Sequence, residues 1–304
     1  MTQPNSDRED ETHPIYGEAV PIDPDILRVT AHNPGPFTFW GTNTYIVGTE
    51  TLAIIDPGPD DAEHLQLLLL IIGRRPVSHI FVTHTHRDHS ELAAALKAAT
   101  GAKIAAHGSQ PQLQPARGRA GKLLDAGSNF AFAPDLALRD GDVVAGDGWS
   151  IGAIHTPGHA SNHLAFSLVG KDILFSGDHV MGWSTTIVAP PDGSMTDYIA
   201  SLGKLLDRDD TIYLPGHGGR IMQPLDRVRT LRTYRQMREA MILTRVRGGD
   251  RTIPDIVRAL YRRVDPALHG AAGLTVFAHL ESLIDRGLVT TEGHATMDGL
   301  YEPA

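Results

Sequence analysis

The 304-residue chain contains no cysteine. That absence excludes disulfides, thiolate zinc sites and a cysteine nucleophile, whatever the compartment. Long hydrophobic runs are also missing. The longest strongly apolar stretch, residues 67–72, falls far short of the ~20 residues that cross a bilayer, so no membrane partner is expected. Residues 1–14 are polar and acidic with no apolar stretch; no export signal is expected, and a cytoplasmic location is the default. Basic charge is in deficit, with 27 Lys and Arg against 36 Asp and Glu, a net charge of −9. The deficit is uneven: residues 225–304 carry 12 arginines and 10 acids, which leaves 15 basic and 26 acidic groups for residues 1–224. An acidic body with a mildly basic tail argues against a broad nucleic-acid platform but leaves a local patch open.

With 41% apolar and 21% charged residues, the chain can bury a sizeable core, and its length suits one large or two modest domains. Residues 1–24 hold acids and four prolines and read as an extended lead-in. Short β-branched runs at Ile26–Thr30, Asn43–Val47 and Leu52–Ile55 read as strands, the last breaking at Asp56-Pro57-Gly58. Ala62–Ile72 is helical in length and composition, 79–83 reads as a strand and 91–99 as a helix. Further strands are expected at Lys103–Ala106, Ser150–His155, 163–168, 172–176 and 211–215, with a helix at Met195–Leu206. Between 108 and 138 the pattern is weak, an irregular loop with a short helix. After Gly219 the chain changes character. Helices at 225–247, 253–264 and 274–286 are followed by a strand at 288–291, the order of a small winged-helix module. The implied domains are 25–224 and 225–304, with the boundary inside the helix near 225–235.

Sixteen histidines are more than usual for this length, and their placement is informative. Thr83-His84-Thr85-His86-Arg87-Asp88-His89 sits where a strand ends and a helix begins. His159, Asp178 and His217 each follow an expected strand and a glycine (Gly158, Gly177, Gly216). Glycine lets the backbone turn sharply and brings a side chain close to a shared centre. A lone histidine in such a place is more often a hydrogen-bonded core residue. A cluster of four donors with three more at strand ends reads as a site for metal ions that favour imidazole and carboxylate ligands, zinc above all.

The pattern His84-x-His86-x-Asp88-His89, then His159, Asp178 and His217, resembles the metallo-β-lactamase superfamily. The resemblance implies an α/β fold, an αββα metallo-β-lactamase sandwich followed by a small winged-helix-like C-terminal domain. It also implies two Zn2+ per chain, other divalent metals or iron being alternatives. One ion would take His84, His86 and His159, the other Asp88, His89 and His217, with Asp178 bridging both and Asp56 fixing the ligand loop from behind. Hydrolysis would then use a hydroxide shared by the two ions, with Asp88 as the catalytic group that orients it or takes its proton. Asp178 stands where β-lactamases of the superfamily carry cysteine or serine, so a β-lactamase is not expected.

The segment 176–186, the run Asp197-Tyr198 with Ser201-Leu202, and the tail with 279–283 and 287–289 resemble the winged-helix-bearing branch typified by beta-lactamase-like protein 2. That branch implies cleavage of single-stranded RNA phosphodiesters. The alternative, from the glyoxalase-II-like ligand set and the acidic body, is hydrolysis of a small thioester or acyl ester. Hence the expected partner is RNA or a small ester or thioester. His179, Trp183, Thr185 and Thr186 are expected to line the pocket mouth, while Ser161 and Asn162 are potential donors to substrate and His163 a core hydrogen-bonding residue. The arginine-rich helix reads as solvated or salt-bridged. The C-terminal module invites a duplex-DNA reading, but its last helix is poor in basic residues, so capping the site or mediating a homodimer is an equal expectation.

Overall fold

The computed structural model describes residues 13–109 and 127–304. The first half of the lead-in and most of the loop expected at 108–138 lie outside the described residues.

Seven strands form the first sheet, in the order β1 (Ala19–Asp23), β2 (Ile26–Thr30), β3 (Asn43–Val47), β4 (Leu52–Ile55), β5 (Val77–Phe81), β6 (Lys103–Ala106) and β7 (Leu136–Ala137). β1 to β4 run as an antiparallel meander, and β4 to β7 pair in parallel. The parallel pairs need crossovers. α1 (Ala62–Ile72) supplies the first, and α2 (Arg87–Ser90) with α3 (Ala93–Thr100) the second. Asp61 caps α1 by accepting from the amides of Glu63 and His64, and Gly73, at φ +62°, ends it. His64, Leu68 and Ile72 fall on one face of α1 and are buried against the sheet.

Five strands form the second sheet, in the order β12 (Ile212–Pro215), β11 (Ile173–Gly177), β10 (Leu164–Leu168), β9 (Ser150–His155) and β8 (Val143–Ala145). Phe81, Tyr45 and Ile55 from the first sheet meet Phe166, Phe175 and Leu214 from the second in one buried cluster. Each such side chain contributes about 1.5–3 kcal/mol by leaving water. α4 (Met195–Leu206), capped by Ser194, covers the outer face of the second sheet through Tyr198, Leu202 and Leu205. The layers are therefore αββα.

α5 (Pro224–Arg247) begins against that same face through Val228 and Leu231 and ends in a separate core through Ile242 and Val246. α6 (Ile253–Leu260), α7 (His269–Asp285) and a hairpin of β13 (Val289–Thr291) and β14 (Tyr301–Pro303) complete that core around Ile256, Val276, Leu280 and Tyr301. This is the C-terminal winged-helix domain.

Three differences from the sequence reading have simple causes. Residues 19–23 of the expected lead-in join the sheet as an edge strand. β7, β8 and β14 are two or three residues long and largely exposed, so they carry no alternation to read. The helix expected at 91–99 is α3, and before it the ligand loop makes a separate helical turn, α2, that carries Asp88 and His89.

Candidate metal centre

The histidines gather where the two sheets present the same edge. His84, His86, Asp88 and His89 follow β5, whereas His159, Asp178 and His217 follow β9, β11 and β12. Close backbone approach is built into the second group. A Cβ on Gly216 would lie 2.6 Å from His89 Cε1 and 2.7 Å from Asp178 Oδ1. One on Gly158, at φ +139°, would meet the Tyr198 backbone at 2.4 Å.

Two donor sets result. In the first, His86 Nδ1 lies 2.9 Å from His84 Nε2 and 3.0 Å from His159 Nε2. In the second, His217 Nε2 lies 3.3 Å from both His89 Nε2 and Asp88 Oδ2. Asp178 spans the two. Its Oδ1 is 3.3 Å from His217 and 3.4 Å from His89, and its Oδ2 is 3.7 Å from His159. Metal–nitrogen bonds of ~2.0–2.1 Å in a tetrahedron separate neighbouring ligands by about 3.3 Å, so these spacings suit ligands around shared ions. Asp178 Oδ1, buried and without a hydrogen bond, is an oxygen that calls for a cation.

The tautomers are set from behind. His84 Nδ1 lies 3.0 Å from Thr83 Oγ1, His89 Nδ1 2.8 Å from Asp56 Oδ2, His159 Nδ1 2.7 Å from the Ile187 carbonyl, and His217 Nδ1 3.1 Å from the Gly41 carbonyl. A proton held on each Nδ1 leaves Nε2 as a lone pair facing the centre. Asp56, in the left-handed region at φ +51°, also accepts from the Thr83 amide and hydroxyl, which ties the ligand loop to β4. Asn43 and Tyr45 on β3 donate to the Pro215 carbonyl, and Asn43 also to that of Gly218, fixing the loop around His217.

The charges divide in the same way. Burial, reinforced by neighbouring imidazoles, lowers His84 well below its usual range and His86 to about 3. Burial opposes charge on His89 and His217 too, but the carboxylates of Asp88 and Asp178 outweigh it. They raise His89 well above its usual range and His217 to about 9. In return, and despite burial, those imidazoles hold Asp88 and Asp178 well below the usual carboxylate range. The second set thus retains positive charge even as protons, which a metal ion would displace.

Not every expected site residue reaches the centre. His179 is a correction: it is fully buried, not at the mouth. The chain turns after β11, with the His179 amide donating to the Ser176 carbonyl and Ser176 Oγ to that of Val180. This turn sends the His179 ring into the core, 4.7 Å from that of Tyr198, where burial lowers it to about 3. Trp183 and Thr185 are half-buried on the loop after Asp178. Trp183 stacks on Phe39 at 4.7 Å and 9°, and Phe39 on Trp40 at 4.1 Å. Ser161 is engaged by Asp192 and Asn162 by Thr85 and Gly108. His163 is a buried core residue that accepts from the Asp178 amide at 3.2 Å.

Thr186, expected with Trp183 and Thr185 at the mouth, is instead buried, its hydroxyl 3.0 Å from His159 Nδ1. A residue that composition and spacing do not single out is Thr42, whose hydroxyl donates to Asp88 Oδ2 at 3.4 Å. A cavity of about 590 Å³ lies elsewhere, between Ser194–Thr196 and the C-terminal domain, and none of the converging donors lines it.

Residues 37–217 match the family model described as the metallo-beta-lactamase superfamily. The chain belongs to this superfamily. Residues 252–296 match a second family, the beta-lactamase associated winged helix domain. Among curated relatives of this metallo-beta-lactamase protein, an atrochrysone carboxyl ACP thioesterase of Claviceps purpurea is 30% identical over 79% of this chain and 73% of its own. A beta-lactamase-like protein 2 homolog of Caenorhabditis elegans is 31% identical over 87% and 85%. In three dimensions, a beta-lactamase domain protein from Burkholderia ambifaria superposes with a TM-score of 0.80 over 97% of this chain and 96% of its own, at 22% identity. Members of the superfamily are generally hydrolases. The His/Asp cluster described above is this chain's candidate metal centre.

Proposed function

We propose that the protein is a dinuclear zinc hydrolase acting on an acyl thioester. His84, His86 and His159 would hold one ion, Asp88, His89 and His217 the other, and Asp178 both. When bound, the ions supply an acidified water as nucleophile and an electrophilic centre for the anion that forms on the carbonyl oxygen. The chain's own part is orientation and proton handling. Asp88 is the more open of the two central carboxylates, with 27% of its side chain exposed against 10% for Asp178. It therefore faces incoming water, and the Thr42 hydroxyl steadies its Oδ2. Attack forms a carbon–oxygen bond and breaks carbon–sulfur; the proton accepted by Asp88 leaves with the thiol.

The observation that carries the acyl reading is the aromatic wall Trp40–Phe39–Trp183 at the His217 edge of the centre, where a Cβ on Gly218 would touch Trp183 Cδ1 at 2.8 Å. Such a wall suits a flat or apolar acyl group. Two further points favour a thioester over RNA. Several arginines of α5 are engaged within the chain: Arg227 donates to the Met181 and Ser184 carbonyls, Arg229 pairs with Asp226, and Arg245 with Asp250. A relative named as a thioesterase, moreover, aligns over most of its length. The test is hydrolysis of aromatic and aliphatic acyl-pantetheine thioesters by zinc-loaded protein, beside labelled single-stranded RNA, with Asp88→Ala as control. Thioester turnover lost in the variant is expected. Turnover of RNA alone would replace this reading with phosphodiester cleavage.

A further inference from the structure

Arg235 lies on α5 at 2% exposure, and its guanidinium meets no carboxylate within ion-pairing distance among the described residues. A desolvated charge is costly, and here Nε is buried without a hydrogen bond, so the guanidinium is held through its Nη and its ring contact. One Nη donates to the Thr186 carbonyl at 2.5 Å, and the group lies 5.3 Å from the centroid of the Tyr198 ring, whose electron-rich face takes the place of an anion.

The carbonyl it holds is one peptide away from the carbonyl that holds a candidate metal ligand. The next carbonyl, that of Ile187, accepts from His159 Nδ1 at 2.7 Å, and the Thr186 hydroxyl lies 3.0 Å from the same nitrogen. Both groups belong to the loop that follows Asp178. Arg227, also on α5, reaches the carbonyls of Met181 and Ser184 in the same loop. The loop behind His159 is therefore tied to the C-terminal helix at Met181, Ser184 and Thr186, as well as to β11 at Val180 and to Ser161 at Asp192.

We propose that Arg235 is a positioning residue for His159: by fixing the Thr186 carbonyl it sets the Ile187 carbonyl and Thr186 hydroxyl that hold the His159 ring, and so presents Nε2 to the three-histidine donor set. The C-terminal helix thereby completes that set without touching it. Arginine suits the task because its rigid fork directs a donor at a carbonyl while the plane stacks on tyrosine. This rests on the dinuclear reading above.

The test is stepwise zinc binding by the full chain, followed by competition with a chromophoric chelator, in wild type, Arg235→Met, Arg235→Lys and Arg238→Met. Arg238 lies one turn further along α5, and its contacts are with Tyr234, Leu260 and Tyr261, away from the loop. Arg235→Met should weaken one of the two zinc equivalents about 10–100-fold, the range for losing a group behind a ligand, and leave the other unchanged. Arg235→Lys, which keeps one donor, should restore part of that loss. It also carries the test if the methionine variant fails to fold. Arg238→Met should bind both ions as wild type does. Undiminished binding in the Arg235 variants, or an equal loss in Arg238→Met, would overturn the proposal. A wild-type chain that takes up no zinc would instead sink the dinuclear reading itself.

Discussion

Five imidazoles and two carboxylates within a few ångströms cannot all be charged, and the way they divide predicts how the centre loads. His217, raised to about 9, carries a proton at neutral pH in the metal-free chain. Metal needs its bare Nε2, so the proton competes below pH 9 and ceases to compete above it. Zinc affinity should therefore climb between pH 6 and 9 and then level off. Uptake at pH 7 should release protons, read as a buffer-dependent heat in titration calorimetry; equal heats in buffers of different ionisation enthalpy would contradict this. His84 and His86, already lowered by burial, should contribute nothing to that release. Asp56→Asn removes the anion behind His89 Nδ1 and should cut zinc affinity about 10–100-fold with the fold intact. An unchanged chelator competition would show Asp56 to be a loop anchor alone. The donors themselves were legible in the sequence because each stands beside a turn-forming glycine or within one short motif. His179 was misread because adjacency in sequence to Asp178 says nothing about which side of a turn a ring takes.

Elements, more than single residues, decide how the loops meet. After β9, β11 and β12 a glycine stands immediately before each donor (Gly158, Gly177 and Gly216), and that glycine is a space requirement as well as a hinge. Gly216→Ala would drive a methyl into His89 and Asp178. It should abolish tight binding of the second zinc while circular dichroism stays native. Retention of both ions would mean that the loop can retreat. On the facing side, Trp183→Ala opens the wall against Phe39. If that wall holds the acyl group, KM for an aromatic thioester should rise about tenfold, equivalent to roughly 1.4 kcal/mol of ring contact, with kcat little changed. A fall in kcat at constant KM would assign the ring to loop geometry instead. Most longer strands and helices could be read from periodicity and punctuation. The aromatic wall could not, because Phe39 and Trp183 are 144 positions apart and neither segment has a pattern of its own. Nor could the clamp at Thr186, which depends on a backbone carbonyl that any residue would supply.

At the scale of the molecule, α5 is shared. Its first turns pack on the second sheet through Val228 and Leu231, and its last turns help build the winged-helix core with Ile242 and Val246. Alternating polar and apolar residues in the arginine-rich stretch conceal this, because the helix buries different faces at its two ends. Leu280→Ala, deep in the C-terminal core, should cost about 2–5 kcal/mol. Its effect should reach the loop behind His159 only if the strain passes along α5, which zinc titration of the purified variant would register beside its Tm.

The donors are separated by up to 133 positions, from His84 to His217, and come from both sheets. No unfolded segment can hold more than a fragment of the centre, so ions that bind it bind the native state and stabilise it. Each tenfold rise in free metal above the dissociation constant then adds about 1.4 kcal/mol per ion. In a cell that degrades chains as they open, the standing amount of this protein would follow the metal supply: starvation would thin the population before it emptied the sites of the survivors.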